Sequence, residues 1–340
     1  MTNTGVEGIN IYDFNLSNGT LNLVSKQEAG PNPSFFCFSG RKNLIYAANE
    51  VTQFNGKKGG GITTLEYNSD FTKIRKVNEI SVPNGSPCYI SISHDNNFLF
   101  VANYTGGSIA AFKLDRDGLP ERICDTISYM GKDGKISHAH MISFDPAGKR
   151  IYLTDLGLDR IMIYSFDEET GKLISLVKNG ISLPEGTGPR HFVFNKTGSK
   201  MYVMGELKST VSVFDVADKD GLILVQTITA LSDSYKGQNS SADIHIDKSG
   251  EFLYGSNRGE NSIVSFRIGK DGLLTIAGHS SCGGDWPRNF TTDPSGKYLL
   301  VGNQKSGNIS VLEIEKNTGL PSKAIQQVKL ESPVCLKFSE

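Results

Sequence analysis

The chain has 340 residues, with 35 Lys and Arg against 36 Asp and Glu, for a formal net charge of −1. So even a balance argues against a nucleic-acid partner or a membrane-surface role, and any basic site must be local. No apolar run approaches the length of a membrane span, and the opening MTNTGVEGINIYDF has neither a basic n-region nor an apolar h-region of a secretory signal, so a cytoplasmic location is expected.

Taken in chain order, one short pattern recurs: a small residue or Pro, alternating apolar residues, a turn, an apolar-aromatic run, then often Asn. The copies start at Pro33 (PSFFCFSGRKNLIYAAN), Pro87 (PCYISISHDNNFLFVAN), Ala139 (AHMISFDPAGKRIYLTD), Pro189 (PRHFVFNKTGSKMYVMGE), Ala242 (ADIHIDKSGEFLYGSN), Pro287 (PRNFTTDPSGKYLLVGN) and Pro333 (PVCLKF). Differences between successive starts are 54, 52, 50, 53, 45 and 46 residues. A period near 50 with alternating apolar residues and Gly, Asp and Asn turns predicts the blades of a β-propeller. The expected fold is all-β: one domain over residues 1–340, seven blades of four antiparallel strands each. In the fourth copy, PRHFVF reads as the first strand, MYVMGE as the second, TVSVFDV as the third and LILVQTIT as the fourth. The hairpins between third and fourth strands carry SNGT, NSDF, DRDG, EETGK, DKDG, GKDG and NTG, whose Asp-Gly and Asn-Gly steps tolerate positive φ.

The chain ends predict how the ring closes. The last copy, PVCLKF, has no strands after it, and residues 3–12 align by pattern with 257–266. The N-terminal and C-terminal strands should therefore pair in one blade. Only Met1 and Thr2 precede the aligned segment, so this blade should be the weakest in the closure.

Two repeat positions should face the propeller channel. One follows the small residue or Pro: Ser34, Cys88, His140, Arg190, Asp243, Arg288, Val334. The other follows the recurrent Asn position: Glu50, Tyr104, Leu156, Glu206, Arg258, Gln304. His140, Arg190, Glu206 and Arg258 make the sharpest candidates, because paired guanidinium groups suit an anionic substrate and a carboxylate with an imidazole suits proton handling. A structural ion-pair network would use the same residues, and spacing does not choose between them. Further substrate-contact candidates are His138, Asp155, His191, His245, Arg288 and Gln304. For His138, Asp155, His191 and His245 the competing role is architectural: a loop residue, a partner for backbone amides, and two satisfied core histidines. Asn49, Asn103, Asn257 and Asn303 recur at one position, which implies a repeated turn role. Trp286, the single tryptophan, walls the pocket or packs under a blade. The run GKKGGG at 56–61 lacks the context of a phosphate loop and reads as a flexible loop. The five cysteines form no CxxC pair, and no metal-ligand spacing is present; neither metal nor cofactor is expected.

The segments SHAHMISFDPAGKRIYLTDLGLDRIMIY, GPRHFVFNKTGSKMYVMGELKSTVSVF, SADIHIDKSGEFLYGSNRGENSIVSF and WPRNFTTDPSGKYLLVGNQKSGNISV are similar to the seven-bladed propeller lactonases, a family that contains bacterial 6-phosphogluconolactonases and fungal carboxy-cis,cis-muconate cyclases. The resemblance spans essentially the whole chain, and GPRH, then GEL sixteen residues after the Arg, then SNRG is its specific part. It implies a metal-free site of His140, Arg190, Glu206 and Arg258, and hydrolysis of 6-phospho-D-glucono-1,5-lactone, a small anionic sugar lactone, by a monomer or weak homodimer. A muconate-type cyclase, another sugar-lactone hydrolase, or a non-catalytic binding propeller are the alternatives.

Overall fold

The computed structural model describes residues 2–3, 8–132, 134–217 and 221–339. Every regular element among them is a β-strand. The chain divides into two compact units, Tyr12–Leu23 with Glu185–Glu340, and Thr2–Ile11 with Val24–Pro184.

In the second unit, three sheets follow one another in sequence. Their strands are Pro33–Phe38, Leu44–Asn49, Gly60–Tyr67 and Ile74–Val82; then Pro87–Ile92, Phe98–Asn103, Ser108–Leu114 and Pro120–Ser128; then Ala139–Phe144, Ile151–Asp155, Arg160–Asp167 and Lys172–Ser175, with Ile181–Ser182 also pairing the third. The first unit repeats the plan with Pro189–Phe194, Lys200–Gly205, Thr210–Ala217 and Gly221–Thr229; Ser240–Ile246, Phe252–Arg258, Ser262–Ile268 and Leu274–Ser281; and Pro287–Thr292, Tyr298–Asn303, Asn308–Ile314 and Pro321–Lys329. Each is an antiparallel sheet in chain order, the four-stranded blade that the repeat predicts. A further sheet has the order Thr20–Gln27, Gly8–Asn15, Thr2–Asn3, Pro333–Cys335. Thr2 pairs Ile9 and Asn3 pairs Gly8, so a two-residue second strand is present where the alignment left room only for Met1 and Thr2. Residues 4–7 of that aligned segment, and 218–220 of the DKDG hairpin, lie outside the described residues.

Burial explains which residues make which strand. Second strands such as Phe98–Asn103 and Tyr298–Asn303 are buried at every position, so they read as continuous apolar runs. Fourth strands such as Pro321–Lys329 alternate half-buried and exposed positions, as one-sided strands do. Between neighbouring sheets the side chains interlock: Phe98, Phe100 and Ala111 pack with Ile142, Ile151 and Leu153 in one unit. In the other, Tyr202, Met204 and Val213 pack with Ile244, Leu253 and Val264. The predicted hairpins hold, with positive φ at Gly118, Gly171 and Gly272; in NSDF it is Phe71 that turns left-handed.

Two sequence readings are corrected or sharpened. The glycine run at 56–61 is not a flexible loop. Gln53–Phe54 and Lys57–Lys58 form a small hairpin, and Gly60 and Gly61 begin a strand. A Cβ on Gly61 would strike the Phe54 ring, and one on Gly60 the ring of Pro87; close packing, not mobility, requires glycine there. The recurrent Asn is fully buried in each copy and ties the end of the second strand to neighbouring backbone or hydroxyls. Asn49 Nδ2 donates to Ala29 O at 2.7 Å, Asn257 Nδ2 to Ala230 O at 2.7 Å and Asn303 Nδ2 to Cys282 O at 3.2 Å. Asn103 instead reaches Ser108 Oγ at 3.1 Å. Asn257→Ala removes the bonds to the Ala230 carbonyl, which keeps only His279 Nε2 at 3.0 Å, and to Ser241 Oγ, and chemical denaturation should show a loss of about 1–3 kcal/mol. A change within 0.5 kcal/mol would mean the bond contributes nothing to the fold.

Candidate active site

The first strand of six of the sheets carries a β-bulge at the first of the two channel positions. Pairing slips between Pro33 and Phe35, Pro87 and Tyr89, Ala139 and Met141, Pro189 and Phe192, Ser241 and Ile244, and Pro287 and Asn289. The extra residue therefore falls at Ser34, Cys88, His140, Arg190–His191, Ala242–Asp243 and Arg288. A bulge lifts one side chain out of the strand's alternation and re-aims it. The second channel position is held beside it by a recurring backbone bond. Glu50 N donates to Asn32 O, Tyr104 N to Ser86 O, Leu156 N to His138 O, Glu206 N to Gly188 O and Gln304 N to Trp286 O, at 2.8–3.0 Å. The residue supplying that carbonyl is left-handed at Asn32, Ser86, Gly188 and Trp286.

In the unit of residues 185–340 this frame brings three predicted residues together. Arg190 Nε lies 2.9 Å from Glu206 Oε2, and Arg258 Nη2 lies 2.9 Å from the same oxygen. Their side chains are 4%, 16% and 9% exposed for Arg190, Glu206 and Arg258. Ser240 Oγ donates to Glu206 Oε1 at 3.1 Å. Arg258 is locked from the other side, donating from Nε to Ser240 O at 3.0 Å and from Nη2 to Ser240 Oγ at 2.9 Å and Ser241 O at 3.1 Å. The glycine of the SNRG motif follows for a steric reason: Gly259 has φ +132°, and a Cβ there would meet the Gln238 carbonyl. Arg190 Nη1 donates to Ala242 O at 2.9 Å.

The electrostatics follow from burial against charge. Burial raises the Glu206 carboxyl pKa, but Arg258 and Arg190 outweigh it and hold the group below the usual range. Burial and the neighbouring Arg190 bring Arg258 down to about 10, which leaves it cationic at neutral pH.

Behind Arg190 sits a buried carboxylate, Asp243, at the equivalent bulge of the next blade. Its Oδ1 accepts from His191 Nδ1 at 2.7 Å and Ile244 N at 3.0 Å. Its Oδ2 accepts from His245 Nε2 at 2.9 Å, Phe290 N at 3.2 Å and Asn289 Nδ2. Burial would raise this carboxyl; the bonded imidazoles of His245 and His191 hold it well below the usual range. His191 is fully enclosed, and burial with Arg190 alongside lowers it to about 4, so it is neutral at pH 7. With Nδ1 donating to Asp243, Nε2 is left to accept, and it faces Arg190 Nη1 at 3.3 Å. The sequence brackets this buttress only loosely, since Asp243 lies 52 residues from His191 and 46 from Asn289.

Within residues 24–184, His140 is buried at its bulge, edge-on to Tyr104 with centroids 5.8 Å apart. His138 stacks on Tyr104 at 4.4 Å, and its Nδ1 lies 3.1 Å from Tyr104 O. Asp155 is fully buried and accepts from Ser137 Oγ at 2.5 Å, His138 N at 3.0 Å and Leu158 N at 3.0 Å. Its carboxylate binds the loop that carries His138.

The sequence profile described as Lactonase, 7-bladed beta-propeller matches residues 1–338. The chain belongs to this family.

Among its relatives, the 6-phosphogluconolactonase of Formosa agariphila is 34% identical, with 97% of this chain and 95% of the relative aligned. That of Bacillus subtilis is 26% identical over 99% and 96%. The solved structure of the periplasmic gluconolactonase of Pseudomonas aeruginosa superposes with a TM-score of 0.92 at 26% identity, covering 100% of this chain and 98% of the other. This lactonase-family chain thus carries the all-β propeller fold expected from its repeat.

Of the ten predicted site residues, Arg190 and Arg258 each touch Glu206 directly. His191 and His245 stand behind them on Asp243, and in the other unit Asp155 accepts from the backbone amide of His138. Arg288 is half-buried, and its charge acts on Arg258. Gln304 N donates to Trp286 O at 2.9 Å. Sequence reasoning missed Ser240 and Asn289. Ser240 pairs Arg258 across the ladder, a relation that only the strand register reveals.

Proposed function

We propose that this lactonase-family member hydrolyses 6-phospho-D-glucono-1,5-lactone to 6-phosphogluconate, without a metal, as a step of the oxidative pentose phosphate route. The reading includes a cytoplasmic enzyme, monomeric or weakly dimeric, whose seven blades form a single ring closed by pairing of its first and last strands. The observation that supports it best is the buried Arg190–Glu206–Arg258 cluster, a carboxylate held ionised between two guanidinium groups. The names of the curated relatives point the same way.

In this reading water adds to the lactone carbonyl carbon, the oxyanion collapses, and the ring C–O bond breaks. Glu206 orients the attacking water and accepts its hydrogen bonds. Its lowered pKa makes it a weak base, so positioning contributes more than outright proton abstraction. Arg190 and Arg258 stabilise the developing oxyanion. His140 delivers the proton that the departing ring oxygen requires, and the proton lost by water returns to solvent.

The test is proton release from freshly prepared 6-phosphogluconolactone beside unphosphorylated gluconolactone, corrected for spontaneous opening, with EDTA present. Turnover of the phosphorylated lactone at least tenfold above the other, undiminished by EDTA, is the expected result. Acceleration of neither lactone would overturn the reading in favour of a cyclase or a binding role.

A further inference from the structure

Trp286 occupies a backbone position that tryptophan has no steric reason to fill. Its φ is +67°, a region costly for a bulky side chain. Of the equivalent blade positions, Asn32, Ser86, Gly188 and Ser332 are also left-handed, and all four are small or polar; His138 and Ser241 are not left-handed. The strained backbone is clamped, with Trp286 N donating to Asn261 Oδ1 at 2.9 Å and Trp286 O accepting from Gln304 N at 2.9 Å. Strain maintained in this way marks a side chain kept for what its ring does.

The indole gathers cations. Lys305 Nζ lies 3.2 Å from the ring centroid, and Arg258 Cζ lies 5.5 Å from it. Arg288 is two residues along the chain. Lys305 is exposed, and none of the described carboxylates makes an ion pair with it. Arg190 and Arg258, by contrast, are buried and already bonded to Glu206 and to backbone carbonyls. An ammonium resting on an aromatic face is oriented, partly dehydrated and readily surrendered to a stronger anionic partner.

We infer that Lys305, on the face of Trp286, and Arg288, whose charge reaches Arg258, form the subsite for the phosphoryl end of a sugar-phosphate substrate, which leaves Arg190 and Arg258 to the reacting carbonyl. This rests on the hydrolase reading above but is testable apart from it. Trp286 is the only tryptophan, so intrinsic fluorescence reports on this subsite alone.

The experiment titrates the full-length protein with 6-phosphogluconate, inorganic phosphate and gluconate, following tryptophan emission, in the parent chain and in Lys305→Gln, Lys305→Arg and Arg288→Gln. A saturable change with 6-phosphogluconate, absent with gluconate, is expected. Lys305→Gln should weaken it about 10- to 100-fold, and Lys305→Arg should restore most of it. Lys305→Gln should also lower the ratio of kcat/KM for phosphorylated over unphosphorylated lactone by a similar factor. Equal affinity in parent and Lys305→Gln, or equal response to gluconate, overturns the subsite even if the phosphorylated lactone is turned over. A Lys305-dependent response without turnover of either lactone upholds the subsite and refutes the hydrolase reading.

Discussion

Glu206→Gln should lower kcat on the phosphorylated lactone by at least about a hundredfold, the lower range for loss of a positioned proton-handling group. The amide keeps the shape but removes the anion between Arg190 and Arg258, both 2.9 Å from the lost charge. Two buried guanidinium groups then face each other without a counter-ion. Breaking a fully buried pair costs about 3–5 kcal/mol; Glu206 retains some access to water, so about 2–4 kcal/mol of lost stability is expected by denaturant titration. The two effects separate by assay well below the unfolding transition, where the folded fraction is complete. Because the folded-state pKa of Glu206 is depressed, its contribution to stability is fully present above the unfolded carboxyl pKa of about 4.3. It is lost as pH falls below that value through the folded pKa. The parent enzyme should therefore show no acid limb from Glu206 above pH 4.5. Full turnover by the glutamine variant on its true substrate would remove Glu206 from the mechanism and leave it an architectural ion pair.

What could be read beforehand, and what could not, follows from the range over which each feature is encoded. Strand order and hairpins are local. Pro189, the alternation in PRHFVF and the turn glycines each act within a few residues, so the pattern showed them directly. The identities at the two channel positions were legible as well, because the repeat aligns them: Arg190 with Asp243 and Arg288, Glu206 with Arg258. The bulge that re-aims those side chains was not, since which residue goes unpaired is set by the register with the second strand. Its presence at Arg190–His191 is what lets Arg190 meet Glu206 while His191 turns towards Asp243. Asp243 itself looked like one more channel residue. Only the register of the neighbouring strands shows it collecting donors from His191, His245, Asn289 and two backbone amides.

That buttress makes the protein acid-sensitive in a definite window. The unfolded imidazole of His191 titrates near 6.5, and the folded one at about 4 because burial and Arg190 oppose a charge there. Between those values the unfolded chain binds a proton that the folded chain does not. Stability therefore rises with pH across the window and falls as pH drops from about 6.5 towards 4, by up to about 1.4 kcal/mol per unit. From pH 7 to 4.5 the loss due to His191 should approach about 3 kcal/mol. Asp243, depressed well below its ordinary value, adds a loss only at still lower pH, below the unfolded aspartate pKa near 3.9. His191→Asn isolates the term, since the amide nitrogen can stand where Nδ1 does and still donate to Asp243, but cannot take up a proton. Denaturant unfolding of both proteins at pH 7, 6, 5 and 4.5 should show curves that converge as pH falls, the variant flatter by about 1 kcal/mol per unit. Parallel curves would mean that His191 carries its proton in the folded state. In that case Asp243 would face an imidazolium, and a second cation would stand 3.3 Å from Arg190. The expected result instead ties acid loss of fold to loss of the site: protonating His191 sets a charge against the guanidinium that holds Glu206, so the pH that loosens this blade also releases the residue proposed to orient the water.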